Sequence, residues 1–439
     1  MKKYISILLF NALIFNVLKI NAQVIPTPAA NQSETILIMN AKAHIGNGKV
    51  IENSVIGLEN GKIILIADAT TVRIDASKYK KTVNASGKHV YPSLIAPNTP
   101  LGLMEIQSVR ASVDLTEIGT MNPSVRSIVA YNTDSQVPPT VRSNGILLAQ
   151  IVPQGGTISG QSSIVELDAW NWEDAGYKMD NGMHLRWPNL YSNAYDFASS
   201  SLSIKKNEKY NTELNEIDAF FKEAQAYTKK DNPMPKNLKL EAMQGVFNGK
   251  KTLFVHCNLA KEMTEAVLFG KKYGSKTVIV GGKDAWMITD FLKANNVAVV
   301  LSETQDLPSR NDDDIDQTFK TPAMLKAAGV PFCMSVSGGW QARNLPLMAG
   351  QAVGFGLAYE DAISAMTSEA AKILGIDATA GTLEEGKDAT LFISEGDILD
   401  MRTSKVTNAF IRGKEIDLDN KGKQLYRRFQ TKYDRQGKK

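Results

Sequence analysis

The chain has 439 residues, of which 43% are hydrophobic, 22% charged and 8% aromatic, with a formal net charge of +4. This composition excludes collagen-like, mucin-like and largely disordered chains, and the length calls for two or three domains or one large barrel with an appended domain. Two cysteines cannot supply a disulfide framework, and the four histidines (His44, His89, His184 and His256) are scattered.

Lys2 and Lys3 precede an apolar run over residues 4–18, and Ala22 offers a small residue before Gln23. This reads as a secretory signal peptide over residues 1–22, shorter than the roughly 20 apolar residues of a spanning helix. A periplasmic or secreted protein without a stable membrane anchor is expected. Removing that segment deletes Lys2, Lys3 and Lys19 and no acid, so the charge falls to +1, and no electrostatic case for nucleic-acid binding remains. Residues 23–33 read as a linker.

From residue 34 to 88, short β-rich runs (ILIMNAKAHI, SVIGLE, IILIAD) are punctuated by Asn47-Gly48 and Asn60-Gly61 turns. HVYPSLIAPN then reads as an apolar strand followed by a long polar loop. GILLAQIVPQ and SSIVELDAW read as two strands joined by GGTISG, a mobile mouth loop. Residues 213–230 and 238–248 are predicted helical. TLFVHC, TVIVGG, AVVLSE and PFCMSVS each precede a helical segment. Strands alternating with helices over residues 89–378 predict a parallel α/β barrel. ATLFIS and KVTNAFIRGKEI, within residues 379–420, return to β pattern and are expected to join the N-terminal strands. The basic tail, residues 421–439, carries Lys421, Arg427, Arg428, Lys432, Arg435, Lys438 and Lys439 and reads as a solvated terminal helix.

The segments GKIILIAD, GKHVYPSLIAPNTPLG and GIDATAGTLEEGKDATLFIS resemble the hallmark segments of the amidohydrolase superfamily, nearest to its imidazolonepropionase-like secreted group. The resemblance runs from about residue 36 to 423. It implies a (β/α)8 TIM-type barrel, a composite β-sandwich from the N- and C-terminal segments, and one or two divalent metals, usually zinc, at the barrel mouth. Active members hydrolyse C–N bonds other than peptide bonds, often in cyclic amides.

The chain departs from that family's metal-ligand pattern. Asn98-Thr99-Pro100 stands where His-x-His is expected, Ala96 where an aspartate often precedes it, Gly281 for a histidine and Ser337 for the final aspartate. His256, in TLFVHCN, alone occupies a ligand-like position. Zinc lowers the pKa of bound water from about 15.7 to about 7, help on the order of 12 kcal/mol in forming hydroxide that this donor set forgoes.

Among other residues, Glu105, Asp114 and Glu117 could supply acid–base groups. Asn98, Trp340, Arg343 and Asn344 could form a polar, aromatic ligand pocket. His44 and His89 read as structural, and His184, in the loop-like DNGMHLRWPN, as a surface residue. Cys257 is expected to face the helices and Cys333 to lie about 13 Å below Ser337 along its strand, both as buried free thiols.

Two readings follow. One is a catalytically impaired barrel that binds a small molecule or pairs with a related barrel as a homo- or hetero-oligomer. The other is an active hydrolase of cyclic amides or related C–N bonds, using His256, the loop carboxylates and a rearranged or mononuclear metal.

Overall fold

A computed structural model describes residues 27–196, 201–308, 310 and 312–437. The expected leader lies outside the described residues, among which no helix is long and apolar enough to cross a membrane.

The chain begins with an antiparallel meander, β1 (Ile36–His44), β2 (Val50–Glu59) and β3 (Lys62–Asp68). Asn60 and Gly61 between β2 and β3 both have positive φ, which a tight hairpin turn requires. β4 (Lys81–Asn84) and β5 (His89–Pro92) pair parallel to β1. HVYPSLIAPN, read as one strand, is two: after β5 the chain turns at Ser93 and enters the second sheet as β6 (Leu94–Thr99).

β7 (Ile146–Ile151), β8 (Ile158–Glu166) and β9 (Gly176–Arg186) follow, then a hairpin of β10 (Tyr191–Asp196) and β11 (Ser201–Lys206) set apart from them. β12 (Thr252–Cys257), β13 (Thr277–Gly281), β14 (Ala298–Leu301) and β15 (Phe332–Met334) complete an eight-stranded sheet, ordered β6-β7-β8-β9-β12-β13-β14-β15. It curls into a nearly closed barrel, and the helices Tyr359–Met366 and Ser368–Leu374 pack on both its outer strands, β6 and β15. Finally β16 (Leu391–Ser394), β17 (Val406–Ile411) and β18 (Lys414–Glu415) pair onto β5, so both ends of the chain build one sheet domain beside the barrel.

One barrel strand departs from a regular (β/α)8 pattern. β8 runs antiparallel to both β7 and β9. No helix separates it from β7, because an antiparallel neighbour needs only a short connection. The expected mobile glycine loop is instead packed. A Cβ on Gly156 would lie 2.8 Å from the Thr120 carbonyl oxygen, and one on Gly160 2.7 Å from that of Val125. These glycines let the 116–125 segment lie directly on the β7–β8 turn.

Alternation along the barrel strands separates two apolar layers. Ile95, Leu148, Ile164, Phe254, Val280, Val300 and Cys333 form one cluster, while Leu253, Val255, Cys257, Ile279 and Val299 join the larger cluster that includes the surrounding helices. Both cysteines are buried and free. Beyond these layers, Arg142 and Asp168 form an almost inaccessible ion pair. Arg142 Nη1 donates to Asp168 Oδ1 at 2.5 Å and to the Leu167 carbonyl at 3.0 Å, and Asp168 Oδ2 accepts from the Ala29 amide at 2.8 Å. Asp168→Ala would leave the guanidinium buried and unpaired, so urea unfolding should show a loss of about 3–5 kcal/mol. A loss below about 1 kcal/mol would mean that water reaches Arg142.

Candidate functional site

The site grows from the register between β9 and β12, where His184 stands opposite Phe254 and Arg186 opposite His256. Side chains two residues apart share a face, so His184 and Arg186 point the same way on β9, as Phe254 and His256 do on β12. The His184 ring stacks on Phe254 with centroids 4.9 Å apart and planes within 8°. Its Nδ1 lies 2.9 Å from His256 Nε2, a hydrogen bond in which one imidazole donates and the other accepts.

His184 thus corrects the sequence reading. It is a strand residue, fully buried, rather than a surface loop residue. Asp180-Asn181-Gly182 resembles a turn, but the strand continues through it, with Asp180 at φ +52°. The alternation of Met183, Leu185 and Trp187 with His184 and Arg186 is the signal that could have revealed it.

Both imidazoles are neutral. Burial first, then the Arg186 guanidinium, pushes His256 down to about 3. Burial, followed by His256 and Arg186, holds His184 well below the ordinary histidine range. A base this weak removes a proton from water poorly.

Beside the pair lies a buried layer of neutral polar groups. Gln150 Oε1 accepts from the Asn98 amide at 3.2 Å, its Nε2 donates to Ser162 Oγ at 3.0 Å, and Ser162 in turn donates to Asn181 Oδ1 at 3.5 Å. At the C-terminal ends of the parallel strands a cavity of about 380 Å3 opens, lined by Asn98, Arg186, His256, Gly281, Glu303 and Ser337 among others. Lys283 pairs with Asp306 there at 2.5 Å. Ser337 donates to Glu303 Oε1 through both its amide (2.8 Å) and its hydroxyl (2.5 Å). Arg186 has no carboxylate partner among the described residues.

The sequence-derived candidates separate accordingly. Asn98, His256, Gly281 and Ser337 line this cavity, and Pro100, Glu105, Asp114, Glu117, Trp340, Arg343 and Asn344 do not. Asp114 and Glu117 are exposed on the 101–136 loop, and Glu105 Oε2 accepts from the Gln136 amide at 3.4 Å. Arg343 turns back to the Trp340 carbonyl at 2.8 Å, within the turn after β15. Arg186, Lys283, Glu303 and Asp306 line the cavity without having been singled out from sequence, because lone charged residues after strands carry no motif.

The metal that the family resemblance implies does not suit this donor set. Gly281 has φ +104°, and a Cβ there would lie 2.5 Å from Asn258 Oδ1, so that position accommodates no histidine as the chain stands. Among the described residues no three His, Cys, Asp or Glu side chains gather so as to hold a metal ion.

Comparison with known proteins bears on lineage. A model of the amidohydrolase family matches residues 203–416. No curated protein matches. An amidohydrolase from Thermotoga maritima MSB8 is similar in structure, with a TM-score of 0.75 and 21% identity, covering 87% of this chain and 99% of its own. A Xaa-Pro dipeptidase with bound methionine has a TM-score of 0.53 and 15% identity, covering 87% of this chain and 100% of its own. A zinc-bound adenosine deaminase from Xanthomonas campestris has a TM-score of 0.50 and 15% identity, covering 93% and 99%. These likenesses are ones of fold. Together with the family match over residues 203–416, they support placing this barrel with the amidohydrolase superfamily.

The histidine pair gives acid sensitivity a sign. The unfolded chain protonates His256 near pH 6.5 and the folded chain only near 3, so the unfolded state binds more protons between those values. Stability is full above about pH 6.5 and falls as the pH drops toward about 3. His256→Gln should flatten this limb, its stability deficit against the parent shrinking as the pH is lowered. An unchanged acid slope in thermal unfolding would show that His256 is solvated.

Proposed function

We propose that this amidohydrolase-superfamily barrel binds a small anionic ligand at its mouth, and that its hydrolytic activity is lost or strongly reduced along with the binuclear metal centre. The observation that carries this reading is the state of the one residual ligand position. His256 is held by a hydrogen bond to His184, with Asn98, Gly281 and Ser337 around the same cavity. Arg186 supplies the attraction, a guanidinium without a carboxylate partner among the described residues, flanked by neutral amides and hydroxyls that can complete the recognition of a carboxylate or phosphate. The loop carboxylates of the active-hydrolase reading lie away from the cavity. Glu303 and Asp306 are the cavity acids that an active enzyme would have to use.

Three measurements test the proposal. Elemental analysis of the purified protein should find less than stoichiometric zinc. Turnover of hydantoins, dihydropyrimidines and N-acyl amino acids should be near background. Calorimetric titration with small dicarboxylates and inorganic phosphate should detect binding that Arg186→Met weakens about tenfold or more, the worth of a charge-assisted hydrogen bond. Stoichiometric zinc lost together with turnover in His256→Ala would overturn the proposal in favour of an active enzyme. Anion binding untouched by Arg186→Met would move the ligand site elsewhere.

A further inference from the structure

The helix Lys421–Gln436 is capped by Asn420, whose side chain accepts from the Lys423 amide at 2.9 Å and donates to Ser143 Oγ on the barrel at 3.0 Å. Lys423 reaches the Leu418 carbonyl at 2.8 Å, and Arg427 pairs with Asp419 at 2.7 Å. These contacts fasten its first turns and leave the rest projecting, with no residue of the helix buried. A helix in a protein draws most of its stability from covering an amphipathic face, and this helix has such a face uncovered. Leu425, Phe429, Tyr433 and Tyr426 fall within an arc about 100° wide at 3.6 residues per turn, and they are 38%, 48%, 59% and 69% exposed.

The charges beside that arc identify what covers it. Lys421, Arg428, Lys432 and Arg435 line one edge, none paired to an acid among the described residues. Arg428 and Lys432 lie over the Phe429 and Tyr433 rings at 6.0 and 5.5 Å. The helix carries six cations and one acid, Asp434, and the sequence adds Lys438 and Lys439. Two of the three rings end in a hydroxyl, so they can seat an apolar body in acyl chain while the tip stays at headgroup level, with the Lys and Arg heads snorkelling to lipid phosphates.

We infer that the helix Lys421–Gln436 docks the protein reversibly, lying in plane, on an anionic lipid surface. Its aromatic face enters the headgroup boundary, and its cationic edge contacts lipid phosphates.

Co-sedimentation tests this with the intact protein, every variant carrying the same N-terminus. The vesicles are of phosphatidylcholine alone or of phosphatidylcholine with phosphatidylglycerol. Binding should require phosphatidylglycerol and weaken as salt is raised. Arg428→Glu/Lys432→Glu should lower partitioning by about tenfold or more, given the fivefold or so expected per basic residue. Phe429→Ser/Tyr433→Ser should lower it comparably while leaving the thermal unfolding midpoint unchanged, since neither ring is buried. Equal binding to both vesicle types, or binding insensitive to both double variants, would overturn the inference. So would binding to duplex DNA or a soluble acidic protein at concentrations where phosphatidylglycerol vesicles are not bound.

Discussion

The hydrogen bond between His184 and His256 needs an acceptor nitrogen, so at least one of the two rings has to stay neutral. One imidazole must donate and the other accept, and a second proton would set two cations about 3 Å apart beneath Arg186. Burial enforces that neutrality, since Phe254 covers one face of His184 and leaves it no water to solvate an imidazolium. Neutrality then determines the company the pair keeps. The adjacent buried groups are Gln150, Ser162 and Asn181, amides and a hydroxyl that satisfy one another without net charge. Formal charge lines the mouth, with Arg186, Lys283, Glu303 and Asp306.

The antiparallel course of β8 determines how the two domains are joined. The parallel strands end at the mouth, so β8 ends at the opposite side and delivers Glu166 toward the sheet domain. There Arg412 and Lys414, from β17–β18, bind its two oxygens, and Arg412 also lies 4.8 Å over the ring of Tyr177 at the start of β9. Tyr177 donates to Asp388 at 2.7 Å, and Asp388 accepts from Lys62 on β3 at 2.6 Å. Burial raises the Glu166 carboxyl, and the two cations oppose that rise. A polar seam of this kind depends on every partner being present, because each buried charge is tolerated only when paired. It fixes β8 and β9 from below, and β9 is the strand that carries His184 and Arg186.

The parts of this arrangement that could be read in the sequence are those that side-chain period governs. TLFVHC is β12 as expected, and alternation along it puts Cys257 on the helix side and His256 on the other. Period carries no strand direction, however, so SSIVELDAW gave no hint that its strand runs antiparallel. Local turn chemistry can also mislead. Asp180-Asn181-Gly182 has the residues of a turn but stays within β9, where Gly182 pairs with Ser162 on β8 and with Thr252 on β12, a tertiary override of local preference. The site residues divide on the same ground. His256 stood out through a family pattern, whereas His184 and Arg186 matter only because the β9–β12 register sets them against β12, and no local feature encodes register. Trp340, Arg343 and Asn344 follow a strand end directly, but a tight turn closes on itself through the Arg343–Trp340 bond and takes them out of the cavity.

The substitutions at the family's ligand positions are consistent with one another on electrostatic grounds. A metal ion lets several carboxylates and imidazoles share a small volume because its charge offsets theirs and uses their lone pairs. Without that charge, an aspartate at position 337 would face Glu303, which now accepts two hydrogen bonds from Ser337, and two carboxylates at that separation cannot both ionise readily. A histidine at 281 would meet Asn258. In any such site without an ion, each retained ligand is a cost, and replacing one alone leaves the others uncompensated, so the stable alternatives are those in which the whole set is neutral together. The single imidazole that remains is the one with a neutral partner within reach. Arg186 differs from the rest in being charged at the rim, where water can solvate it and where it has no carboxylate partner among the described residues. The arrangement thus keeps formal charge at the rim and neutral hydrogen-bonding groups below it.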